Sequence, residues 1–461
     1  MDASYDITII GAGPGGYVAA IRAAQMGARV ALVESGQVGG TCLNRGCIPT
    51  KALAASAEAF LQASQAKAFG VETDAVTPNY GAMQKRASDV VQKLTKGVNY
   101  LLNKNKVEFI TGKASFINPK TLAIDDGKQT TNLTSKHVII ATGSKPLVFP
   151  SFAYDGERVI TSDEVLNLQT LPNSLVIIGG GVIGCEYASI FAALGTKVTV
   201  IEALPAILPS IDDEITRLLT SYLRRRRVDI HTNTRVSAVQ HDGAKVQVLL
   251  EGAAPIACDL VMLAVGRRAH TTGLNLEAAG VAVNKKGEVI VDAHMKTSAE
   301  GVYAIGDVTG TPWKLAHMAS RQGVVAVENI LGQHTKMNYN AVPAAVFTDP
   351  EIATVGLSTQ AAQEAGIEVT TAKFPFMACG KALASGQTAG FVKVVAEKQS
   401  GKLLGAHIIG PQASVLIAEA TLALQQELTA KELETVIHAH PTLPEAFYEA
   451  VAGIEGLAIH I

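Results

Sequence analysis

The sequence predicts an α/β protein in which one parallel βαβ unit is used twice and an α+β region follows. Three observations carry this. A segment reading strand, Gly-rich turn, helix, strand, acid occurs twice, with Gly11/Gly179, Gly13/Gly181, Gly16/Gly184 and Glu34/Glu202 each 168 positions apart. The chain has 42 glycines in 461 residues, against roughly 32 at an average usage of about 7%. From about Tyr339 the pattern becomes alternating, as in residues 390–395 and 403–409, which reads as antiparallel strands between helices.

Length at roughly 150 residues per domain suggests about three domains. Hydrophobic residues at 48% with 17% charged exclude wholesale disorder. Lys plus Arg (39) and Asp plus Glu (41) nearly cancel, leaving no electrostatic footprint for nucleic acid or an anionic membrane surface. No apolar run approaches the roughly 18 residues of a membrane span. The opening Met1-Asp2-Ala3-Ser4-Tyr5-Asp6 is acidic where a signal peptide is basic, and five cysteines do not make a stapled secreted scaffold. The expectation is a soluble, cytoplasmic protein.

In the first copy, residues 5–10 form a buried strand and Gly11-Ala12-Gly13-Pro14-Gly15-Gly16 the turn. Residues 17–26 form an Ala-rich helix, and 29–33 a second strand closing on Glu34. The second copy runs from Leu175-Val176-Ile177-Ile178 through Gly179-Gly180-Gly181-Val182-Ile183-Gly184 and a helix to Leu194, then a strand closing on Glu202. The first glycine makes the tight turn, the second admits a pyrophosphate to the backbone, and the third lets helix and strand pack closely. The helix N-terminus supplies free N–H groups to the phosphates, and the acid accepts from ribose hydroxyls. Two such copies predict two Rossmann-like dinucleotide-binding domains.

Apolar strands at 138–141 and 259–265 stop at Thr142-Gly143 and at Gly266-Arg267-Arg268, each returning the chain past its own nucleotide site. A third, at 302–305, gives way to Gly306-Asp307. The expected divisions are 1–146 (first nucleotide domain, with the paired cysteines), 147–266 (second), 267–338 (return to the first) and 339–461 (C-terminal α+β domain). Arg224-Arg225-Arg226-Arg227 reads as the close of a helix, its charges favourable at the C-terminal end.

Cys42 and Cys47 stand in Gly39-Gly40-Thr41-Cys42-Leu43-Asn44-Arg45-Gly46-Cys47-Ile48-Pro49-Thr50-Lys51. The C-x4-C spacing is open to a zinc half-site, a disulfide or coincidence. Zinc needs two further ligands, whereas Cys185, Cys258 and Cys379 are scattered and the first histidine is His137. A disulfide meets a geometric objection, since residues five apart in a regular helix are too far separated to bridge. Gly46 and Pro49 answer it by breaking the helical ladder between the thiols. A strained, accessible bridge of this kind is easily reduced and suits redox catalysis. Thiols exchange electron pairs at sulfur while nicotinamide accepts hydride, and a flavin communicates with both. The expectation is therefore FAD in the first nucleotide site, beside the cysteines, and a nicotinamide nucleotide in the second.

The segment Gly39-Gly40-Thr41-Cys42 through Gly46-Cys47-Ile48-Pro49 resembles the active site of the flavin disulfide reductases. The resemblance runs from Tyr5 to the C-terminal region, including Val342-Pro343-Ala344-Ala345-Val346-Phe347-Thr348-Asp349-Pro350-Glu351. It points to the branch that oxidises dihydrolipoyl groups for 2-oxoacid dehydrogenase and glycine cleavage complexes. By that resemblance Cys42 is the interchange thiol and Cys47 the thiolate against the flavin. Lys51 and Glu186 form an ion pair beside the flavin; without the resemblance they would be an ordinary charged helix face. Gly11, Gly13, Gly16, Glu34, Thr41, Lys51, Ala114, Thr142, Gly143, Asp307 and Ala316 (in Leu315-Ala316-His317) make up the FAD set. Gly179, Gly181, Gly184, Glu186, Glu202, Val236 and Gly266 make up the NAD set. No metal is expected.

His438-Ala439-His440-Pro441-Thr442-Leu443-Pro444-Glu445 resembles the family's C-terminal signature. There His440 is the general base and Glu445 orients it. In the family this base comes from the partner subunit, so the resemblance implies a homodimer and a C-terminal dimerisation domain. Expected partners are lipoyl domains and the acyltransferase subunit of 2-oxoacid dehydrogenase complexes, or the lipoylated carrier protein of glycine cleavage. Ala269-His270 replaces the usual Pro-Asn, a loop change expected to bear little on the chemistry, and Pro444 sits at a variable position. Glu202 is followed by Ala203-Leu204-Pro205, and no basic residue appears before Arg217, which favours NAD over NADP. The absence of cysteines after Cys379 counts against mercuric reductase. The alternatives are a non-catalytic flavoprotein docking subunit and another flavin disulfide reductase such as glutathione reductase.

Overall fold

The computed structural model describes residues 4–243 and 245–461, so the Met1–Ala3 opening lies outside the described residues. The repeat becomes two parallel sheets that share the order of four strands, the fifth coming after those four in the chain in the first sheet and before them in the second. In the first, Glu108–Thr111, Val30–Glu34, Ser4–Ile10, Thr130–Ile140 and Val302–Ala304 lie side by side and parallel. In the second, Asp229–His231, Lys197–Ile201, Ser174–Ile178, Leu260–Leu263 and Val159–Thr161 do the same. These strands are near-continuously apolar because helices or further strands cover both faces; Ile7, Ile9, Leu32, Ile139 and Ile177 are completely buried. In each sheet the central strand has its successor on one side and the returning strand on the other. A crevice therefore opens at its C-terminal end, where open α/β sheets bind ligands.

The first helix is Pro14–Gln25, starting three residues before the expected Tyr17, because proline at the first helical position removes an N–H that has no intrahelical partner. It crosses Ala316–Ile330 closely. A Cβ on Gly323 would stand 2.7 Å from the Gly15 carbonyl oxygen and 3.2 Å from the Ala19 side chain. The first half of Thr130–Ile140 also pairs with Thr121–Asp125, which pairs in turn with Lys113–Asn118, both antiparallel. Short antiparallel strands Ser144–Pro146 and Arg267–Ala269 lie together where the chain leaves and rejoins this part.

The last quarter of the chain is the expected α+β region. Ala344–Val346, Glu351–Gly356, Leu403–Gly410, Phe391–Glu397 and Val369–Pro375 form an antiparallel sheet. Helices Ala413–Gln425 and Glu445–Ala452 share one core with it through Leu416, Ala420, Phe447 and Ala450. Thr354, His407, Lys393 and Lys373 lie opposite one another across the sheet. From this row Lys393 Nζ reaches Asp212 Oδ2 at 2.8 Å and Glu214 Oε1 at 2.9 Å, all but excluded from water. Asp212 also caps helix Asp213–Arg225. At the other end of that helix the Arg224–Arg227 run closes it as expected, and Arg226 pairs with Asp349. Among the described residues, no helix is long and apolar enough to cross a membrane.

Candidate functional site: two glycine cradles and a dithiol in one cleft

The two glycine turns repeat atom for atom. Gly11 and Gly179 take φ of +105° and +111°, and a Cβ on either would lie 2.4 Å from a carbonyl oxygen of the returning strand, Ala141 or Ala264. A Cβ on Gly16 or Gly184 would lie 1.8 or 2.0 Å from the carbonyl oxygen of Gly11 or Gly179. Gly13 and Gly181 differ: a Cβ there would meet nothing within 4 Å, so the space over each helix N-terminus is open. Three glycines thus serve three purposes, and the open one has the shape a pyrophosphate needs. Glu34 Oε2 accepts from Ala12 N and Oε1 from Gly36 N, both at 2.7 Å. Glu202 accepts from Gly180 N at 2.7 Å and Leu204 N at 2.8 Å, the same bonds 168 positions on. Each acid braces its own turn, with lone pairs left for a ligand.

A cleft of about 1500 Å³ runs along the first cradle and on to the second. It is lined by Gly11, Gly13, Glu34, Thr41, Cys42, Cys47, Lys51, Ala114, Thr142, Gly143, Gly181, Glu186, Gly266, Asp307 and Ala316. Of the expected cofactor residues, Gly16, Gly179, Gly184 and Glu202 lie outside the lining, as does Val236, half-buried at the start of strand Val236–Asp242. The size and the two open cradles fit an extended dinucleotide with a second one approaching its far end.

The dithiol sits where the helix breaks. Gly40–Arg45 and Cys47–Ser64 are separate helices, with Gly46 between them at φ −138° and ψ −114°. The break brings the two half-buried thiols within hydrogen-bonding reach of each other. Cys47 is held below the usual thiol range, at about 7, first by the Cys42 hydrogen bond and then, against opposing burial, by the Lys51 ammonium. Its place at the first position of an 18-residue helix acts in the same direction. Cys42 is pushed up by the same hydrogen bond and by burial. The pair is polarised, with Cys47 the more acidic of the two thiols.

Lys51 Nζ binds both oxygens of Glu186 at 2.8 Å and lies 4.6 Å from the centre of the Phe347 ring. Phe347 N donates to Glu186 Oε1 at 3.0 Å, so the C-terminal region helps hold the pair. Asp307 Oδ2 accepts from Ser144 Oγ at 2.6 Å, and Ser144 Oγ accepts from Arg267 Nε at 2.8 Å. Ser144 and the half-buried arm of Arg267 were missed by the sequence reading; the Gly-Arg-Arg strand end was their only signal. His270, expected as a loop change, lines the cleft, and its backbone bonds Thr142 Oγ1 and Gly143 O.

His440 Nδ1 bonds Glu445 Oε1 at 2.8 Å. Burial pushes the Glu445 carboxyl up, but the Thr442 N–H and His440 outweigh it and hold it below its ordinary value. The His440 side chain is 79% exposed and lies outside the cleft of its own chain. The structure brings together every expected cysteine, lysine and acid of the cleft, and leaves this dyad on the surface.

Fold and cleft define an oxidoreductase that couples a dithiol to pyridine nucleotide. The chain belongs to the pyridine nucleotide-disulphide oxidoreductase family, whose model matches residues 5–323, with the family's dimerisation domain matching 342–451. It is similar to proteins named dihydrolipoyl dehydrogenase: 43% identical to one from Chlamydia muridarum over 98% of this chain and 97% of that one, and 43% to one from Geobacillus stearothermophilus over 98% and 97%. One from Bacillus subtilis is 41% identical over the full length of both. Among solved structures, LpdA from Mycobacterium tuberculosis has a TM-score of 0.92 at 28% identity, covering 97% of this chain and 99% of that one. The HOCl-induced flavoprotein disulfide reductase RclA from Escherichia coli has a TM-score of 0.87 at 30% identity, covering 97% and 99%.

Proposed function

We propose that this protein is an NAD-dependent dihydrolipoyl dehydrogenase working as a homodimer in the cytoplasm, with FAD in the first cradle and NAD in the second. The observation that carries the reading is the shared cleft, in which a polarised dithiol and the Lys51–Glu186 pair lie between two open glycine cradles. Gly13, Glu34, Ala114, Thr142, Gly143, Asp307 and Ala316 would hold the flavin, and Gly181, Glu202, Val236 and Gly266 the nicotinamide nucleotide.

In this reading a dihydrolipoyl thiolate attacks Sγ of Cys42 in the oxidised Cys42–Cys47 bridge. The S–S bond breaks and Cys47 leaves as the thiolate, which its helix N-terminus and Lys51 stabilise. His440 of the partner subunit, held in one orientation by Glu445, takes the proton of the second substrate thiol. That sulfur attacks the mixed disulfide, releases the oxidised lipoyl ring, and leaves Cys42 reduced. Two electrons enter the protein on the sulfurs of Cys42 and Cys47, both released as thiolates, and the one proton of the second substrate thiol rests on the imidazole. When bound, FAD supplies the route by which that electron pair leaves the thiolate and passes as hydride to NAD+. The exposed dyad supports the dimeric part of the reading, because its own chain offers it no substrate cleft. The substrate would arrive on lipoyl domains of a 2-oxoacid dehydrogenase complex, docked through its acyltransferase subunit, or on a glycine-cleavage carrier.

Steady-state turnover of lipoamide against glutathione disulfide, each with NADH and NADPH, tests this. Lipoamide with NADH should be the fast pair; faster reduction of glutathione disulfide by NADPH would overturn the proposal.

A further inference from the structure

Thr50 and Lys51 are neighbours on the helix that carries Cys47, and Tyr187 and Glu186 are neighbours on helix Val182–Ala193 of the second nucleotide unit. Beside the Lys51–Glu186 pair runs a second rung. Tyr187 OH and Thr50 Oγ1 are 3.1 Å apart, and Thr50 Oγ1 donates to the Gly46 carbonyl oxygen at 2.7 Å. Because the Thr50 proton is committed to that carbonyl, the Tyr187 hydroxyl is the donor to Thr50. The same carbonyl accepts the Thr50 N–H at 3.2 Å. Thr50 is 5% and Tyr187 2% exposed, so water does not compete for these hydroxyls.

The Gly46 carbonyl and the Cys47 N–H belong to one planar peptide, so fixing the first fixes the direction of the second. This peptide sits at the helix break, where glycine leaves the backbone free to turn. Cys47 is carried by this peptide and Cys42 packs against it: a Cβ on Gly46 would stand 3.4 Å from the Cys42 Cα. On these contacts, and on the reading of the two cysteines as a redox pair, we infer that Tyr187 and Thr50 are positioning residues for the dithiol, acting through the Gly46–Cys47 peptide. They also tie the dithiol's geometry to the helix that rises from the second glycine cradle.

The test uses the flavin-loaded protein, reduced with dithiothreitol and alkylated with iodoacetamide over a pH series, with labelling of Cys42 and Cys47 read separately by mass spectrometry. Tyr187→Phe and Thr50→Val should each raise the pH midpoint of Cys47 labelling by about 0.5–1 unit, or about two- to sixfold less thiolate at neutral pH. Thr50→Ser should restore the wild-type midpoint, and the double variant should shift no further than Thr50→Val. Unshifted midpoints in Tyr187→Phe would overturn the inference even if the protein became less heat-stable, since that is what a merely structural hydroxyl predicts. An additive double variant would overturn it too, by showing that Tyr187 does not act through Thr50. A wild-type Cys47 midpoint no lower than that of free cysteine would overturn the redox-pair reading itself, and the inference with it.

Discussion

Gly181 and Gly184 stand three residues apart on the second glycine turn, yet a methyl group would meet opposite surroundings at the two. At Gly184 it would overlap the Gly179 carbonyl oxygen at 2.0 Å; at Gly181 it would meet nothing within 4 Å. Gly181 also has φ −74°, which alanine adopts without strain. Gly181→Ala should therefore cost the fold only the difference in N-cap preference, about 1 kcal/mol or less, and at most about 2–4 °C in Tm. The ligand side is different. A methyl group in the cradle pushes a pyrophosphate off two backbone N–H groups, each charge-assisted bond contributing about 1.5–3 kcal/mol. That sum corresponds to roughly 10²–10⁴-fold in Kd. Calorimetric titration with NADH, alongside flavin absorbance and thermal unfolding, reads all three quantities. The expected variant keeps its flavin and its Tm and loses NADH. Gly13→Ala, at φ −70° with the same open space, should instead lose flavin, whereas Gly184→Ala should unfold earlier through overpacking of about 1–3 kcal/mol. Near-wild-type NADH affinity in Gly181→Ala would refute the cradle, and loss of flavin there would refute the assignment of the two nucleotides.

Other predictions follow from the dithiol, the dyad and the buried cations. His440→Ala should lower lipoamide turnover by about 10²–10⁴-fold while NADH oxidation by an artificial acceptor persists; equal loss of both activities would show that the residue is not the base. The folded-state pKa of Cys47, about 7, is depressed, so the reduced protein gains stability that is present above the unfolded thiol's value and lost as pH falls through 7. Its Tm should drop by an amount corresponding to about 2 kcal/mol between about pH 9 and pH 6, and Cys47→Ser should lose that pH dependence. Lys393→Met leaves Asp212 buried without its partner and should destabilise by about 3–5 kcal/mol in denaturant unfolding.

What the sequence made legible is what the backbone dictates. Gly11, Gly16, Gly179 and Gly184 lie so close to carbonyl oxygens that no other residue fits, which is why they stand out at one constant spacing. Gly46 was legible for a similar reason, as a break in a helix that could not otherwise bring two thiols together. Side-chain pairs between distant elements carry no such mark. Thr50 and Tyr187 are 137 positions apart and Lys393 and Asp212 181, with no periodicity to announce them. His270 reads as part of a loop in sequence, whereas in space it lines the cleft beside Thr142 and Gly143. The His440–Glu445 contact came from the family resemblance, and nothing in the chain says that it lies outside the cleft that holds its own cysteines.

If the partner subunit supplies the base, as proposed, that exposed imidazole makes the working unit a composite of two polypeptides, so inheritance and function come apart. A cell carrying one copy with Cys42 replaced and another with His440 replaced would make two dead homodimers. The mixed dimers would still pair a sound dithiol from one parent with a sound base from the other. With random pairing, half the molecules would be mixed and each would have one of two sites intact, so about a quarter of normal flux would return. Two null alleles would rescue each other without any exchange of DNA.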